Sequence, residues 1–347
     1  MEETTESPHR PDIPDAEACR VVSLKDVARK AKVAVSTASL ALNNKSRVSP
    51  ATRRRVAEAA KALDYYPHSI ARSLKNRRTD TVGFLMGGFG GPVYAEMVQS
   101  VHDTLAKHGL DMIVCFAPAF GRLTHGRMLD GAVVLDAPTP NRLLEQVAVR
   151  DMPMVVMDRE FRCPNLHSVL LDNQGGSRAM VGHLLARGLR DLAYVGGPKD
   201  SYDSRRRRDG FLAALSEAGL EPTAEVVTDF TEQGGRDAVR GLLAGGARPR
   251  VLFCANDETA VGALQALAER GLAVPDDVAV TGFDDIELAR YTTPRLTTVR
   301  VPRAEWGAAA AEALVESLAG RTTPARRTIG VELVVRESSG ALAGEGR

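Results

Sequence analysis

Residues able to neutralise phosphate crowd into one stretch of this chain. Positions 20 to 79 hold fifteen Lys and Arg against Asp26, Glu58 and Asp64, a charge of +12. The whole 347-residue chain carries only +1, so the remainder stands at −11. That division suits a small head that holds nucleic acid by its phosphates, and a larger body that does not adhere to it. Catalytic spacing is absent. Gly87-Gly88-Phe89-Gly90-Gly91 lacks both GxGxxG order and a following lysine, the seven histidines have no metal-ligand spacing, and no GxSxG elbow occurs. Cys19, Cys115, Cys163 and Cys254 form no CxxC pair, so buried free thiols are expected rather than a disulfide framework or a zinc site. The expectation is a protein without catalytic residues, cofactor or metal.

The basic stretch must be carried by helices. Leu24, Val27, Ala28 and Ala31 recur at helical spacing, and Ser23 with Asp26 reads as a capping box. A second short helix runs from Val35 to Leu42, although Ala34 is a poor cap for it. A third starts at Ser49-Pro50 and continues through Val56, Ala59, Ala60 and Leu63 until Tyr66-Pro67 breaks it. Three short helices with a tight turn between the first two predict an all-α helix-turn-helix DNA-binding head over 21–67. Residues 68–79 read as a hinge and 1–20, acidic and proline-containing, as a disordered tail.

Beyond the head the texture changes to apolar runs separated by amphipathic helices. Val82–Met86, Met112–Phe116, Ala132–Leu135, Met154–Met157, Leu192–Val195, Val251–Cys254 and Val278–Thr281 read as buried parallel strands. The fold class expected is α/β, with doubly wound parallel sheets whose ligand sits beyond the carboxyl ends of the strands. No apolar leader core and no run of eighteen apolar residues is present, so a cytoplasmic location is expected.

Val22-Ser23-Leu24-Lys25-Asp26-Val27-Ala28, Val35-Ser36-Thr37-Ala38-Ser39-Leu40, Val48-Ser49 and Tyr66-Pro67-His68-Ser69-Ile70-Ala71-Arg72-Ser73-Leu74 together resemble the LacI/GalR family of repressors. The resemblance runs from about Val22 to Val335. It implies that the helix from Val35 enters the major groove, with Val35, Ser36 and Leu40 at base-contacting positions and Ser39 and Asn43 near phosphates. It also assigns DNA contacts to Ser23, Thr37 and Ala71, and makes Leu74 a wedge inserted from the minor groove. Leu40 stands where many members carry arginine, which restricts it to apolar contacts such as thymine methyl groups. His68 replaces the asparagine usual after the hinge proline.

For the body, the resemblance implies a two-lobed periplasmic-binding-protein-like effector domain over 80–335. Its N-lobe would comprise 80–171 and 300–335, its C-lobe 172–299, and 336–347 would be a tail. Asp158, Arg207, Asn256 and Asp284 are implied as polar effector contacts, Phe230 as a stacking aromatic, and Tyr94, placed in the loop after the first strand, as a further effector-binding residue. Residues 117–129 are shorter than relatives provide, so a truncated or missing second N-lobe helix is expected. The reading is a homodimeric regulator, a repressor, of double-stranded operator DNA, tuned by a small polar effector. A carbohydrate is favoured, nucleosides and other metabolites stay open, and so does the direction of the response. A transport component would share the body but lack the basic head. An enzyme would need a nucleophile, base pair or cofactor loop that the residues do not supply.

Overall fold

The backbone N–H and hydroxyl of Ser23 both donate to Asp26 Oδ2, at 3.0 and 2.6 Å, and set the start of α1 (Leu24–Lys30). In the computed structural model, residues 22–42, 48–65, 78–88, 94–116, 128–135, 139–150 and 152–340 are described. α1 ends where Lys32 takes a left-handed backbone, φ 52°, so that Val33 N–H reaches back to Ala28 O and Lys32 N–H to Arg29 O. That closed turn delivers the chain into α2 (Val35–Leu42), which forms without a favourable cap because Ala38 and Ala41 are buried against its neighbours. Ser49 Oγ accepts from Thr52 N–H at 3.2 Å and Pro50 opens α3 (Pro50–Lys61). The core of this first unit is made mostly of small side chains, Ala28, Ala31, Ala38, Ala41, Ala59 and Ala60, around Val27 and Val56. Small residues let three short helices approach closely.

Residues from Asp80 onward form a separate unit. Its N-lobe sheet runs β11-β5-β4-β3-β1-β2, from β1 (Thr81–Met86), β2 (Asp111–Phe116), β3 (Gly131–Leu135), β4 (Met154–Val156), β5 (Leu166–Leu171) and β11 (Arg326–Ile329). Every neighbouring pair is parallel. α4 (Tyr94–Lys107), α5 (Asn141–Ala148) and α10 (Arg303–Leu318) flank it. The C-lobe sheet, also parallel, runs β7-β6-β8-β9, from β6 (Leu192–Gly196), β7 (Ala224–Val227), β8 (Val251–Cys254) and β9 (Ala279–Thr281). Its helices are α6 (Asn173–Ala186), α7 (Tyr202–Glu217), α8 (Glu232–Ala244) and α9 (Asp257–Glu269). All seven strands expected from apolar runs are present. β5, β7 and β11 were not anticipated: β7 alternates and β11 is polar except at its end, so neither is an apolar run.

The lobe boundaries need correction at the C-terminal end. The chain passes between lobes after β5, again through β10 (Thr298–Arg300), and a third time after β11, where β12 (Glu332–Val334) pairs antiparallel with β10. Arg336–Gly340 is not tail. Ser338 and Ser339 are buried, Ser338 Oγ donates to Val280 O, and Thr297 N–H donates to Ser338 Oγ at 2.8 Å. Serines read as solvent-exposed in one dimension, but here the Ser338 hydroxyl satisfies backbone groups at the C-lobe edge and that of Ser339 meets Thr297 Oγ1 and His183 Nε2. The shortened 117–129 segment falls mostly outside the described residues, as do residues 68–77 of the hinge.

α8 and α9 cross with no side chain between them at Gly262, where a Cβ would lie 2.0 Å from Glu232 O and 2.6 Å from Arg236 N. Both obstacles are backbone, so the helices themselves must part. Gly262→Ala should therefore lower stability by about 3 kcal/mol in urea unfolding followed by circular dichroism. A change below about 0.5 kcal/mol would mean that the two helices do not pack this closely.

Candidate functional site

Arg207, on the second turn of α7, is 5% exposed, and a guanidinium so removed from water has to spend its N–H groups on partners. Its Nε donates to Asn173 Oδ1 at 2.9 Å, Nη1 to Ala255 O at 2.6 Å and Nη2 to Asp284 Oδ1 at 2.9 Å. The guanidinium carbon lies 3.9 Å from the centre of the Phe283 ring, a cation–π contact. One side chain thus joins the start of α6, the end of β8 and the loop after β9, all at the carboxyl edge of the C-lobe sheet.

Asp284 and Asp285 both hold positive φ, 111° and 50°, unusual for residues with side chains. Such backbone costs of order 1–3 kcal/mol per residue and persists only where partners over-determine it. Those partners are visible. Asp284 takes Arg207 on its side chain and Arg303 Nη2, from the start of α10, on its carbonyl. Asp285 accepts from Arg300 Nε at 2.8 Å and from Arg336 Nη2. Although burial opposes ionisation, those two bonds hold the Asp285 carboxyl below its ordinary range.

The expected effector residues divide into those the structure brings together and those it gives another task. Asp158, just past β4 in the N-lobe, pairs with Arg159 at 3.2 Å. Its charge acts on the same C-lobe group as Asp284, so these acids face one region from opposite lobes. Asn256 caps α9, its Oδ1 accepting from Thr259 N–H at 3.1 Å, while its amide donates to Phe230 O at 2.9 Å. Both ends of the Asn256 side chain are engaged, and its amide holds Phe230 in place. Phe230 adopts φ 69°, its N–H bonded to Thr228 Oγ1 at 3.2 Å, and its ring fills the place a Cβ on Gly197 would need. Tyr94 is corrected: it is the first residue of α4, partly buried against the main apolar cluster, not a loop residue. The helical spacing of Met97, Val101 and Leu105 begins with it.

Two residues of this region escaped the sequence reading. Asn173 is buried and donates to Asp203 Oδ1 at 2.7 Å while accepting from Arg207. Asp203, in the first turn of α7, has its carboxyl pushed up to about 6 by burial, against the opposing charge of Arg207 and with Asp158 and Asp284 adding to the rise. Their signal was faint. Asp203 sits four residues before Arg207, one helical turn, so the two share a face.

In the first unit, Val35 is 42% exposed and Ser36 is also exposed, while Thr37 and Ser39 are half-buried. Leu40 is half-buried and packs on the core of the head, so its apolar side chain has a structural task beside the base contact expected of it. Ser23 spends its hydroxyl on Asp26. Asn43, Ala71 and Leu74 lie outside the described residues. Lys25, Arg29, Lys30, Lys32, Arg54 and Arg55 are exposed on α1, α3 and the turn after α1.

Comparison with known proteins follows the same two-part division. Residues 23–68 match the family described as bacterial regulatory proteins, lacI family, and residues 181–339 match the periplasmic binding protein-like domain. The HTH-type transcriptional repressor PurR of Edwardsiella ictaluri is 34% identical over 331 residues, 92% of this chain and 97% of its own length. The ribose operon repressor of Escherichia coli K12 is 36% identical over 321 residues, covering 88% of this chain and 96% of that protein. Among solved structures, a lac repressor dimer bound to operator and the anti-inducer ONPF superposes with a TM-score of 0.84 at 26% identity, covering 93% of this chain and all of that one.

A carboxyl raised in the folded state adds stability below its unfolded value near 4 and loses it as pH rises through 6. Asp203→Asn should therefore be more stable than the native chain by about 2 kcal/mol at pH 7.5 in urea unfolding, with the gain vanishing near pH 4. An equal effect at both pH values would show that the carboxylate is not opposed by its surroundings.

Proposed function

The chain belongs to the lacI family of bacterial regulatory proteins, and from that membership we propose that it represses transcription with an operator grip that responds to a carbohydrate bound between its two lobes. It is a DNA-binding regulator and not an enzyme. The exposed start of α2, flanked by six outward Lys and Arg side chains on α1, α3 and the turn after α1, supports reading Val35, Ser36 and Leu40 as groove-facing residues. Ser23, Thr37, Ser39, Asn43 and Ala71 complete the DNA surface in this reading, with Leu74 as the apolar wedge. The protein works as a homodimer in the cytoplasm, its two heads on half-sites related by two-fold symmetry. Among the described residues no helix is long and apolar enough to cross a membrane.

The Arg207 network carries the effector half of this reading. A buried guanidinium that ties Asn173, Ala255 and Asp284 together makes a rigid polar floor at the carboxyl ends of the strands, the place where open α/β sheets bind ligands. Asp158 from the opposite lobe and the Phe230 ring held by Asn256 would close on hydroxyls and on the apolar face of a sugar ring. Ligand that bridges the lobes favours the closed arrangement by its differential affinity, and the operator grip changes by the same free energy.

Gel-shift titration of the full chain against its own upstream DNA, with and without free sugars and nucleosides, tests both halves. Operator affinity should fall about a thousandfold between about 50 and about 200 mM salt, the mark of several phosphate contacts. Salt-independent binding would refute the basic-head argument. Leu74→Ala should weaken operator binding about tenfold. Arg207→Lys, which cannot reproduce a three-way fork, should cut sugar affinity at least about tenfold in calorimetry. An unchanged sugar affinity would place the effector elsewhere.

A further inference from the structure

Negative charge outside the head is unevenly spread. Residues 1–19 hold Glu2, Glu3, Glu6, Asp12, Asp15 and Glu17 against Arg10, a net −5, whereas residues 80–347 together hold only −6. This acidic segment runs directly into the +12 stretch that opens at Arg20. The basic surface of the head is largely unanswered within its own unit. Lys25, Lys30, Lys32, Arg54, Arg55 and Lys61 are exposed and form no ion pair among the described residues. Arg29 pairs with Asp26 at 3.1 Å and keeps its side chain 74% exposed.

A groove of about 430 Å3 lies between α1 and the end of α3, lined by Val22, Asp26, Arg29, Lys30 and Leu63. Val22 and Leu63 are half-buried and make its apolar part, and Arg29 and Lys30 give it positive charge. Lys30 Nζ reaches only Ala62 O, at 3.5 Å. Asp26, the acid of the lining, is already engaged by Ser23 and Arg29. Val22 is also the residue at which the acidic segment joins the described head, so the groove lies at the segment's own base. Within that segment, Asp12-Ile13-Pro14-Asp15 sets one large aliphatic side chain between two acids, the counterpart of an apolar groove with a cationic side.

We propose that the acidic segment 1–19 docks on the head of its own chain, seated in this groove, and competes with DNA phosphates for the basic surface. The proposal rests on the reading of the head as the DNA-binding unit and adds a built-in competitor to it. Reach is ample: 19 extended residues span about 60 Å, whereas α3, the longest helix of the head at 12 residues, is about 18 Å long. Attachment at Val22 holds the segment at an effective concentration on the order of millimolar, so a weak contact is still populated. Charge attraction across an exposed surface is screened within about 8 Å at physiological salt, so the competition is strong at low salt and fades as salt rises. It weakens operator and random duplex alike, because phosphate contacts carry no sequence information.

The test is gel-shift titration of the full chain, of a chain lacking residues 2–19, and of a chain of native length carrying Glu2→Gln, Glu3→Gln, Glu6→Gln, Asp12→Asn, Asp15→Asn and Glu17→Gln. At about 50 mM salt both altered chains should bind operator and random duplex at least about fivefold more tightly than the native chain, the gain falling below about twofold at about 200 mM. Zero-length carbodiimide cross-linking of the native chain should join Asp12, Asp15 or Glu17 to Lys25 or Lys30, and saturating operator should remove those links. Equal affinity of the three chains at low salt overturns the proposal while leaving the basic-head reading intact. A gain on deletion that the amide chain does not share also overturns it, as does a gain confined to operator. Cross-links that reach Lys107 or Lys199 but no lysine of the head refute the docking. Salt-independent binding by all three chains would remove the basic-head reading and this proposal with it.

Discussion

A guanidinium held almost entirely out of water is tolerable only if its N–H groups are met, and Arg207 meets that demand by gathering elements remote in sequence. Asn173, Ala255 and Asp284 are fixed at a common point because one planar fork reaches all three. Phe283 supplies the apolar face beneath it. The consequences spread outward: Asn173 passes its amide to Asp203, and the Asp284 carbonyl receives Arg303 from the first turn of α10. The C-lobe edge and the N-lobe helix that begins at Arg303 are therefore linked through two residues.

A second constraint sets how the lobes are joined. Asp285, its side chain 1% exposed, binds Arg300 of β10 and Arg336 beyond β12, so the β10-β12 ribbon and the segment that follows it are anchored to the C-lobe. β11 and α10 belong to the N-lobe instead. Relative motion of the lobes must be taken up in the short links between these attachments, at 171–172, 301–302 and 330–331. One apolar cluster runs through both lobes, with Phe84 and Trp306 on one side and Tyr194, Phe211 and Phe253 on the other.

The head obeys different physics. Its core is small and alanine-rich, and its outer surface carries the charge that the body lacks. Little buried area is available to stabilise so short a set of helices, which is why local devices matter: the Ser23–Asp26 box, the left-handed Lys32 turn and the Ser49 cap each remove an unsatisfied backbone group.

Periodicity and caps are local, and so the three helices of the head, the seven apolar strands and the α/β alternation were legible in one dimension. Charge segregation is a sum over residues, and it too needed no coordinates. Arg207, Asp158 and Asp284 could be named because the family resemblance places them at strand and helix ends. What they do to one another was not legible. That Asn256 serves Phe230, that Asn173 passes its amide to Asp203 and that Ser338 completes the C-lobe all depend on contacts between segments tens of residues apart. Sequence order decides which elements form. Only close packing in three dimensions decides which polar groups are already satisfied, and an unsatisfied group is what remains to bind something else.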